Sequence, residues 1–362
     1  MSLADQALSY VRAISPYQPG KPITELARQM GIPVENILKL ASNENPLGMS
    51  PKAKLAVDAA IGGIERYPDQ FDLIKAVAAK AGVEQGQVVL GNGSNDVLDL
   101  IARVFLARGR SAVFAQHAFA VYPLATLSTG AELISTPAKN YGHDLDAMRA
   151  AIRLDTRIVW IANPNNPTGN FLPYPEVRAF LEAVPKDVVV VLDEAYNDYL
   201  PPADRVDVAG WIKDFPNLVV CRTLSKIYGL AGLRIGYALA SAEVADLMNR
   251  VRQPFNVNNL ALAGALAALD DDEFLQASYE LNRSGMAQII AGLEKLGLEY
   301  IKPHGNFVTF KVGDGAGVNQ KLLKQGVIVR PIGGYGLPEW LRVTIGTEPE
   351  NARFLEALEQ AL

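Results

Sequence analysis

The segment Asp187–Tyr196, DVVVVLDEAY, crosses five consecutive apolar positions, Val188 to Leu192, before it meets a carboxylate at Asp193. A continuous, mostly β-branched run of this length reads as a strand buried on both faces, as in a mainly parallel sheet covered by helices. Asp193 is also the first chemical signal. A carboxylate left unpaired there costs several kcal/mol or gives up its charge, so a cation is expected to face it.

Outward from this segment, QVVLG (87–91), SAVFA (111–115), AELIST (131–136), TRIVWIA (156–162) and NLVVCR (217–222) read as further strands. The helical patterns NDVLDLIARVFLA (95–107) and YPEVRAFLEAV (174–184) fall between them, so the alternation predicts an α/β architecture with crossover helices. After about residue 255 the pattern changes. A helical stretch from Ala261 to Leu296 is followed by NFVTFKV (306–312), a helix near 317–325, VIVR (327–330), LRVTI (341–345) and a last helix to Leu362, together a smaller α+β unit. The expected organisation is an N-terminal arm over 1–45, a large domain over 46–255 and a small domain over 256–362. The arm is proline-rich, reads as extended around SPYQPGKP (15–22), and is expected to associate with the small domain.

Composition narrows the classes. At 362 residues the chain exceeds one ordinary hydrophobic core, and 49% apolar with 20% charged residues describes a globular protein. The net charge of -5 comes from 34 basic and 39 acidic residues mixed along the chain, which argues against a nucleic-acid surface. Cys221 is the single cysteine, and His117, His143 and His304 lie far apart, so neither a disulfide nor a metal site is expected. MSLADQALSYVRAISPY shows no basic segment leading an apolar run, and no stretch is apolar enough to span a membrane. A soluble, cytoplasmic protein is expected.

Polar groups gather where the buried runs end. VVLGNGSND (88–96) leaves a strand through two glycines and opens a helix at Ser94–Asn95–Asp96. Such a helix start offers free N–H groups and a positive dipole end to a phosphate, although Ser and Asn are also ordinary helix caps. Neither GxGxxG nor a Walker sequence is present. IANPNNPTGN (161–170) follows a predicted strand, which suits either a plain turn or a ligand loop at a strand's carboxyl end. TLSKIYGLAGLRIGYA (223–238) sets Lys226 among glycines and apolar residues, eight positions before Arg234. An amine in such a setting, near another cation, is poised to be nucleophilic at neutral pH.

Asn166–Pro–Thr–Gly169, Asp193–Glu–Ala–Tyr196, Thr223–Leu–Ser–Lys226 and Arg234, in that order, resemble the fold-type I pyridoxal-phosphate (PLP) aminotransferases. LASNENPLG (40–48), RYPD (66–69) and LRVTIGT (341–347) resemble the histidinol-phosphate aminotransferase branch, and the likeness runs from about residue 16 to the C-terminus. The resemblance implies a large domain with a mainly parallel sheet flanked by helices, a smaller α+β domain, and pyridoxal 5'-phosphate as cofactor.

It also implies residue roles. Lys226 would carry PLP and shuttle a proton, Asp193 would pair with the ring nitrogen, and Tyr196 and Asn166 would bond the ring's phenolic oxygen. Thr223, Ser225, Arg234, Ser94 and Asn95 would hold the cofactor phosphate. Phe119 occupies the place of a stacking tyrosine, so stacking survives while a hydroxyl contact is in doubt; from the residues alone it reads more readily as plain core. Tyr67 would reach the cofactor of a neighbouring subunit, which requires a homodimer, whereas the bland reading of RYPD is a turn between helices. Arg342 would grip the substrate carboxylate, Arg330 the phosphate of histidinol phosphate, and Tyr17 would close over the substrate. Either arginine could instead be a charge at a strand end.

The implied reaction exchanges an amino group between L-histidinol phosphate with its imidazole-acetol phosphate counterpart and glutamate/2-oxoglutarate, a step of histidine biosynthesis. An aromatic amino-acid aminotransferase stays open because RPIGGYGLP (330–338) does not discriminate, as does a PLP decarboxylase of an amino-acid phosphate. The sensing half of a transcription regulator would carry a DNA-binding segment, and no basic helix-turn-helix pattern precedes residue 40.

Overall fold

The computed structural model describes residues 2–362. Its strands are β1 (Leu38–Lys39), β2 (Val88–Gly91), β3 (Ser111–Ala115), β4 (Glu132–Thr136), β5 (Thr156–Ala162), β6 (Val189–Asp193), β7 (Leu218–Thr223) and β8 (Gly236–Leu239). They continue with β9 (Tyr300–Ile301), β10 (Phe307–Lys311), β11 (Val327–Ile328), β12 (Arg330–Pro331) and β13 (Trp340–Thr344). β2 to β8 form one seven-stranded sheet in the order β2-β8-β7-β6-β5-β3-β4. Every pairing in it is parallel except those of β8, which runs antiparallel to both neighbours. A small antiparallel sheet has the order β12-β13-β10-β9, and β1 pairs with β11 in parallel. This is an α/β fold with a large, mainly parallel sheet and a smaller α+β unit.

The run that ends at Asp193 fills both faces of the large sheet. Val190 and Leu192 pack with Val177, Phe180 and Leu218 on one side, while Val189 and Val191 pack with Leu98, Ile101 and Trp160 on the other. Helices Phe71–Ala81 and Tyr174–Ala183 cover the first face; Ser94–Phe105, Val121–Ser128 and Ala242–Val251 cover the second. Each fully buried Val or Leu contributes about 1.5–3 kcal/mol, so the register of β6 is tightly held.

Four details depart from the sequence expectations. The stretch Ala261–Leu296 is two helices, Asn259–Leu269 and Asp272–Lys295, because Asp271 caps the second and pairs with Lys52 at 3.3 Å. Ala261, Leu262, Ala265 and Tyr279 share the core of the large sheet, whereas Ile289 and Leu293 share that of the small one with Phe310, Val343 and Phe354. The change of core therefore falls within the long helix, after the boundary expected at residue 255. VIVR divides between β11 and β12, which lie in different sheets because β1 claims the edge of β11. β8 was hidden in the glycine-rich stretch after Lys226.

The arm is extended only over residues 14–22. Ile23–Met30 is a helix stopped by Gly31 at φ 66°, and its Leu26 is buried with Ile37, Leu323 and Ile328 of the small unit. Further forward, Arg108 of the large unit lies 5.0 Å over the Tyr10 ring, so the arm touches both parts. Among the described residues no helix is long and apolar enough to cross a membrane.

The register pairs Ala162 with Asp193 and Asp193 with Cys221, which brings the carboxyl ends of β5, β6 and β7 level. Gly236 stands opposite both Thr223 and Gly91, and a Cβ there would lie 2.5 Å from the Ser94 amide nitrogen. Close approach by a glycine thus draws the start of helix Ser94–Phe105 against the segment that carries Lys226. Gly229 has φ 69°, and a Cβ on it would collide with the Gly48 carbonyl oxygen. Gly229→Ala should lower the unfolding free energy by more than about 2 kcal/mol, because both φ and the contact oppose a side chain. Urea denaturation measures this; a midpoint equal to that of the unaltered protein would refute it.

Candidate active site

A cavity of about 390 Å³ opens at the level carboxyl ends, between the large sheet and the small unit. Ser94 and Asn95 reach it from a helix start, Phe119 and Asn166 from loops, and Asp193 and Tyr196 from the end of β6. Thr223, Ser225, Lys226 and Arg234 line it beyond β7, and Tyr17, Arg330 and Arg342 close it from the arm and the small sheet. Tyr67 alone among the expected residues is elsewhere. It is 80% exposed, with its ring stacked on Phe255 at 4.5 Å.

Asp193 is buried, and its two oxygens accept from the Tyr122 hydroxyl at 2.9 Å and the Ala195 N–H at 3.2 Å. Burial pushes its pKa up to about 6, against the pull of those two donors. No Lys or Arg in the described residues forms an ion pair with it. The cation expected from the sequence is thus not a protein side chain in direct contact. Tyr122 is held in place by stacking on Trp160, with ring centroids 5.3 Å apart and planes 3° from parallel.

Lys226 Nζ donates to the Ser42 carbonyl at 3.1 Å and sits 5.8 Å above the Tyr196 ring. Burial, then the positive charges of Arg342 and Arg234, lower its pKa to about 8. The setting inferred from the sequence, apolar and near cations, is the one found. Tyr196 accepts from Asn43 Nδ2 at 2.9 Å, and burial pushes its hydroxyl up to about 12, so it remains protonated at neutral pH.

Helix Ser94–Phe105 begins after Gly93 at φ 85° with no side-chain cap. Its first N–H groups therefore carry the positive end of the helix dipole toward the cavity. The Arg234 guanidinium lies directly over Gly93, where a Cβ would be 2.5 Å from Nη2. Arg234 itself is held at φ 62° and donates to the Ala231 carbonyl at 3.0 Å. Thr223 Oγ1 accepts from the Ser225 N–H at 3.1 Å, which fixes the neighbouring hydroxyls. Phe119 meets Tyr122 edge-on at 5.7 Å and is only half-buried, so it faces the cavity rather than closing the core.

On the opposite wall, β12 and β13 place Arg330 directly across from Arg342. Like charges opposite each other on neighbouring strands repel, and the pair is tolerable where an anion is received. Arg342 is buried and donates to Asn166 Oδ1 and to the Ala41 carbonyl. Arg330 donates to the Gln18 carbonyl at 2.8 Å and to the Tyr17 hydroxyl at 3.4 Å. Arg342 is buried, so a surface charge does not describe it, whereas Arg330 is partly exposed at the start of β12 with its side chain on the cavity wall. Sequence reading missed Tyr122, Asn43, Ser42 and Tyr335, all on the cavity wall. Asn43 and Ser42 sit inside LASNENPLG, a usable signal; Tyr122 is 71 positions from its partner Asp193 and carried none.

Residues 35–358 match the family described as aminotransferase class I and II. The chain is 86% identical over 362 residues to histidinol-phosphate aminotransferase 1 of Dechloromonas aromatica (strain RCB), covering all of both chains. It is 59% identical over 365 residues to histidinol-phosphate aminotransferase 2 of Nitrosospira multiformis, covering 100% of this chain and 93% of that one. In three dimensions it is similar to the histidinol-phosphate aminotransferase from Sinorhizobium meliloti solved in complex with pyridoxal-5'-phosphate. That match has a TM-score of 0.91 and 27% identity, and covers 98% of this chain and 97% of the other. A buried carboxylate, a lysine with a depressed pKa and an uncapped helix start facing an arginine pair are thus features of a chain that belongs to the class I and II aminotransferases.

Proposed function

We propose that the chain is a PLP-dependent histidinol-phosphate aminotransferase, exchanging an amino group between L-histidinol phosphate and 2-oxoglutarate. The observation that carries the substrate assignment is the facing pair Arg330 and Arg342 on one wall of the Lys226 cavity. An aromatic amino acid brings one carboxylate and a neutral ring, which leaves the second guanidinium without an anion. A phosphorylated amine gives both forks oxygen acceptors. The names of the curated relatives support the same assignment.

The residues fit PLP. Ser94, Asn95, Ser225, Thr223 and Arg234 supply donors and positive potential for its phosphate, at a place where Gly93 leaves no room for a Cβ. Asp193, with only neutral partners, suits a protonated ring nitrogen, and Phe119 offers a stacking face. When bound, PLP supplies the electron sink for the pair released at the amino-bearing carbon. The chain's own work is positional and protolytic. Lys226, with a pKa near 8, keeps a usable fraction of free amine at neutral pH and carries the proton on Nζ. Arg342 and Arg330 orient the substrate's anionic end, and Tyr17 covers it from the arm. We further propose a homodimer in which Tyr67 completes the partner's phosphate site. Leu55, Ile61, Ile64, Tyr67, Phe71 and Phe255 support this, since all are large, apolar and exposed.

Steady-state kinetics with L-histidinol phosphate, phenylalanine and glutamate test the substrate assignment. Arg330→Ala should lower kcat/KM for histidinol phosphate about 10- to 150-fold, the worth of a charge-assisted contact, and that for glutamate far less. Equal losses, or an unaltered enzyme that prefers phenylalanine, would overturn it. Sedimentation equilibrium should give twice the chain mass of 39.1 kDa, and a monomer would refute the shared site.

Asp193→Asn should separate stability from activity. The folded carboxyl titrates near 6 rather than 3.8, so the folded apoprotein retains a proton that the unfolded chain has lost. Stability then falls as pH rises through that window, and above it the penalty is complete, on the order of 2–3 kcal/mol. The apo form of the variant should melt a few degrees higher at pH 8, while kcat of the reconstituted enzyme drops more than about tenfold. An unchanged or lower apo Tm would contradict the assignment of Asp193 as an uncompensated charge.

A further inference from the structure

The turn Gly333–Tyr335, between β12 and β13, is gripped by residues that the reaction above does not use. His117 Nδ1 donates to the Tyr335 carbonyl at 2.6 Å, and Asn165 Nδ2 donates to the His117 carbonyl at 3.0 Å. Tyr141 braces the same region with its ring 5.1 Å from Trp340 and 6.3 Å from His117. It does so from φ 64°, a backbone region that bulky residues avoid, so its placement is imposed by contacts outside the turn. Tyr335, Tyr141 and Trp340 join Ile332 and Leu337 in one apolar cluster that bridges the large and small units.

This bracing aims the Tyr335 side chain at the cavity. Its hydroxyl oxygen accepts from Arg330, with Arg342 and Tyr17 also close, and burial raises its pKa against the pull of the two guanidinium groups, so it keeps a proton to donate. It is therefore a hydrogen-bond donor set beside two groups that can only donate. A carboxylate has two oxygens and is served by one guanidinium fork. A phosphate monoester has three terminal oxygens and accepts from a third donor as well.

We propose that Tyr335 is a specificity-determining residue that donates to the substrate phosphate beside Arg330 and Arg342, with His117 as its positioning residue. The inference rests on the histidinol-phosphate reading and names a further group of the same site.

Tyr335→Phe keeps the ring and removes the donor. It should lower kcat/KM for L-histidinol phosphate about tenfold, chiefly through KM, with less than a threefold change for glutamate and an unchanged absorbance of the bound cofactor. His117→Ala should raise the same KM, and the double variant should be no worse than Tyr335→Phe alone, because His117 acts through that hydroxyl. Calorimetry with inorganic phosphate on the holoenzyme should show weaker binding to Tyr335→Phe. A change below twofold for histidinol phosphate, or equal losses for both substrates, overturns the role of Tyr335. Additive losses in the double variant overturn that of His117. If the unaltered enzyme ignores histidinol phosphate yet Tyr335→Phe still weakens inorganic phosphate, the substrate reading fails and the donor role stands.

Discussion

A carboxylate sits at the buried end of β6 with only a phenol and a backbone amide to answer it, and the surrounding site follows from that imbalance. The next residue shows that the fold had another option. Glu194 is equally buried, yet it has Arg222 at 2.9 Å and the Tyr174 hydroxyl at 2.7 Å, a paired and satisfied charge. Successive residues leaving a strand point to opposite sides, so one acid turns into the protein and the other toward the cavity. Lys226 makes no ion pair with Asp193, and burial, then the charges of Arg342 and Arg234, lower its own pKa. The ligand proposed above, with a cationic ring nitrogen and anionic groups, would answer these charges together.

The small sheet repeats the pattern with the opposite sign. Arg330 and Arg342 share a cross-strand position at which β-sheets normally place opposite or neutral partners. Backbone carbonyls of Gln18 and Ala41 soften the repulsion, and both belong to the arm, the segment that also supplies Tyr17. The arm thus takes part in the electrostatics around the two arginines and lines the same cavity. Within the extended part, residues 14–22, Gln18 presents a carbonyl and Tyr17 its hydroxyl and ring to Arg330.

What could be read from the sequence divides by the range of the interaction. VVVVL announces its strand because burial on both faces demands an unbroken apolar run, and the glycines around Lys226 announce close approach. Asp193 and Lys226 are conspicuous because a charge amid apolar residues needs a reason, whereas Arg330 and Arg342 stand out only through the family likeness. Tyr122 is invisible by that test, because a tyrosine within an apolar helix is ordinary and its bond to Asp193 exists only in the folded sheet. His117 and Tyr335 are silent for the same reason, being 218 positions apart. β8 escapes the sequence reading because four residues opening on a glycine leave too short a pattern, and the arm's helix because proline on either side suggests extension.

The backbone offers a signal of its own. Five residues other than glycine adopt positive φ among those described: Asn43, Asn140, Tyr141, Arg234 and Phe255. Asn43 bonds Tyr196, Arg234 covers the helix start, and Phe255 stacks on Tyr67, while Asn140 and Tyr141 form the turn that braces Trp340. Each position costs conformational energy that only surrounding structure can impose. Strain scattered at random would fall across many loops. Here four of the five residues contact the cavity wall or belong to the turn that steadies it, and the fifth holds the tyrosine proposed to reach a partner. The same scaffold that buries Asp193 and sets two arginines across from each other therefore also fixes the backbone that aims them.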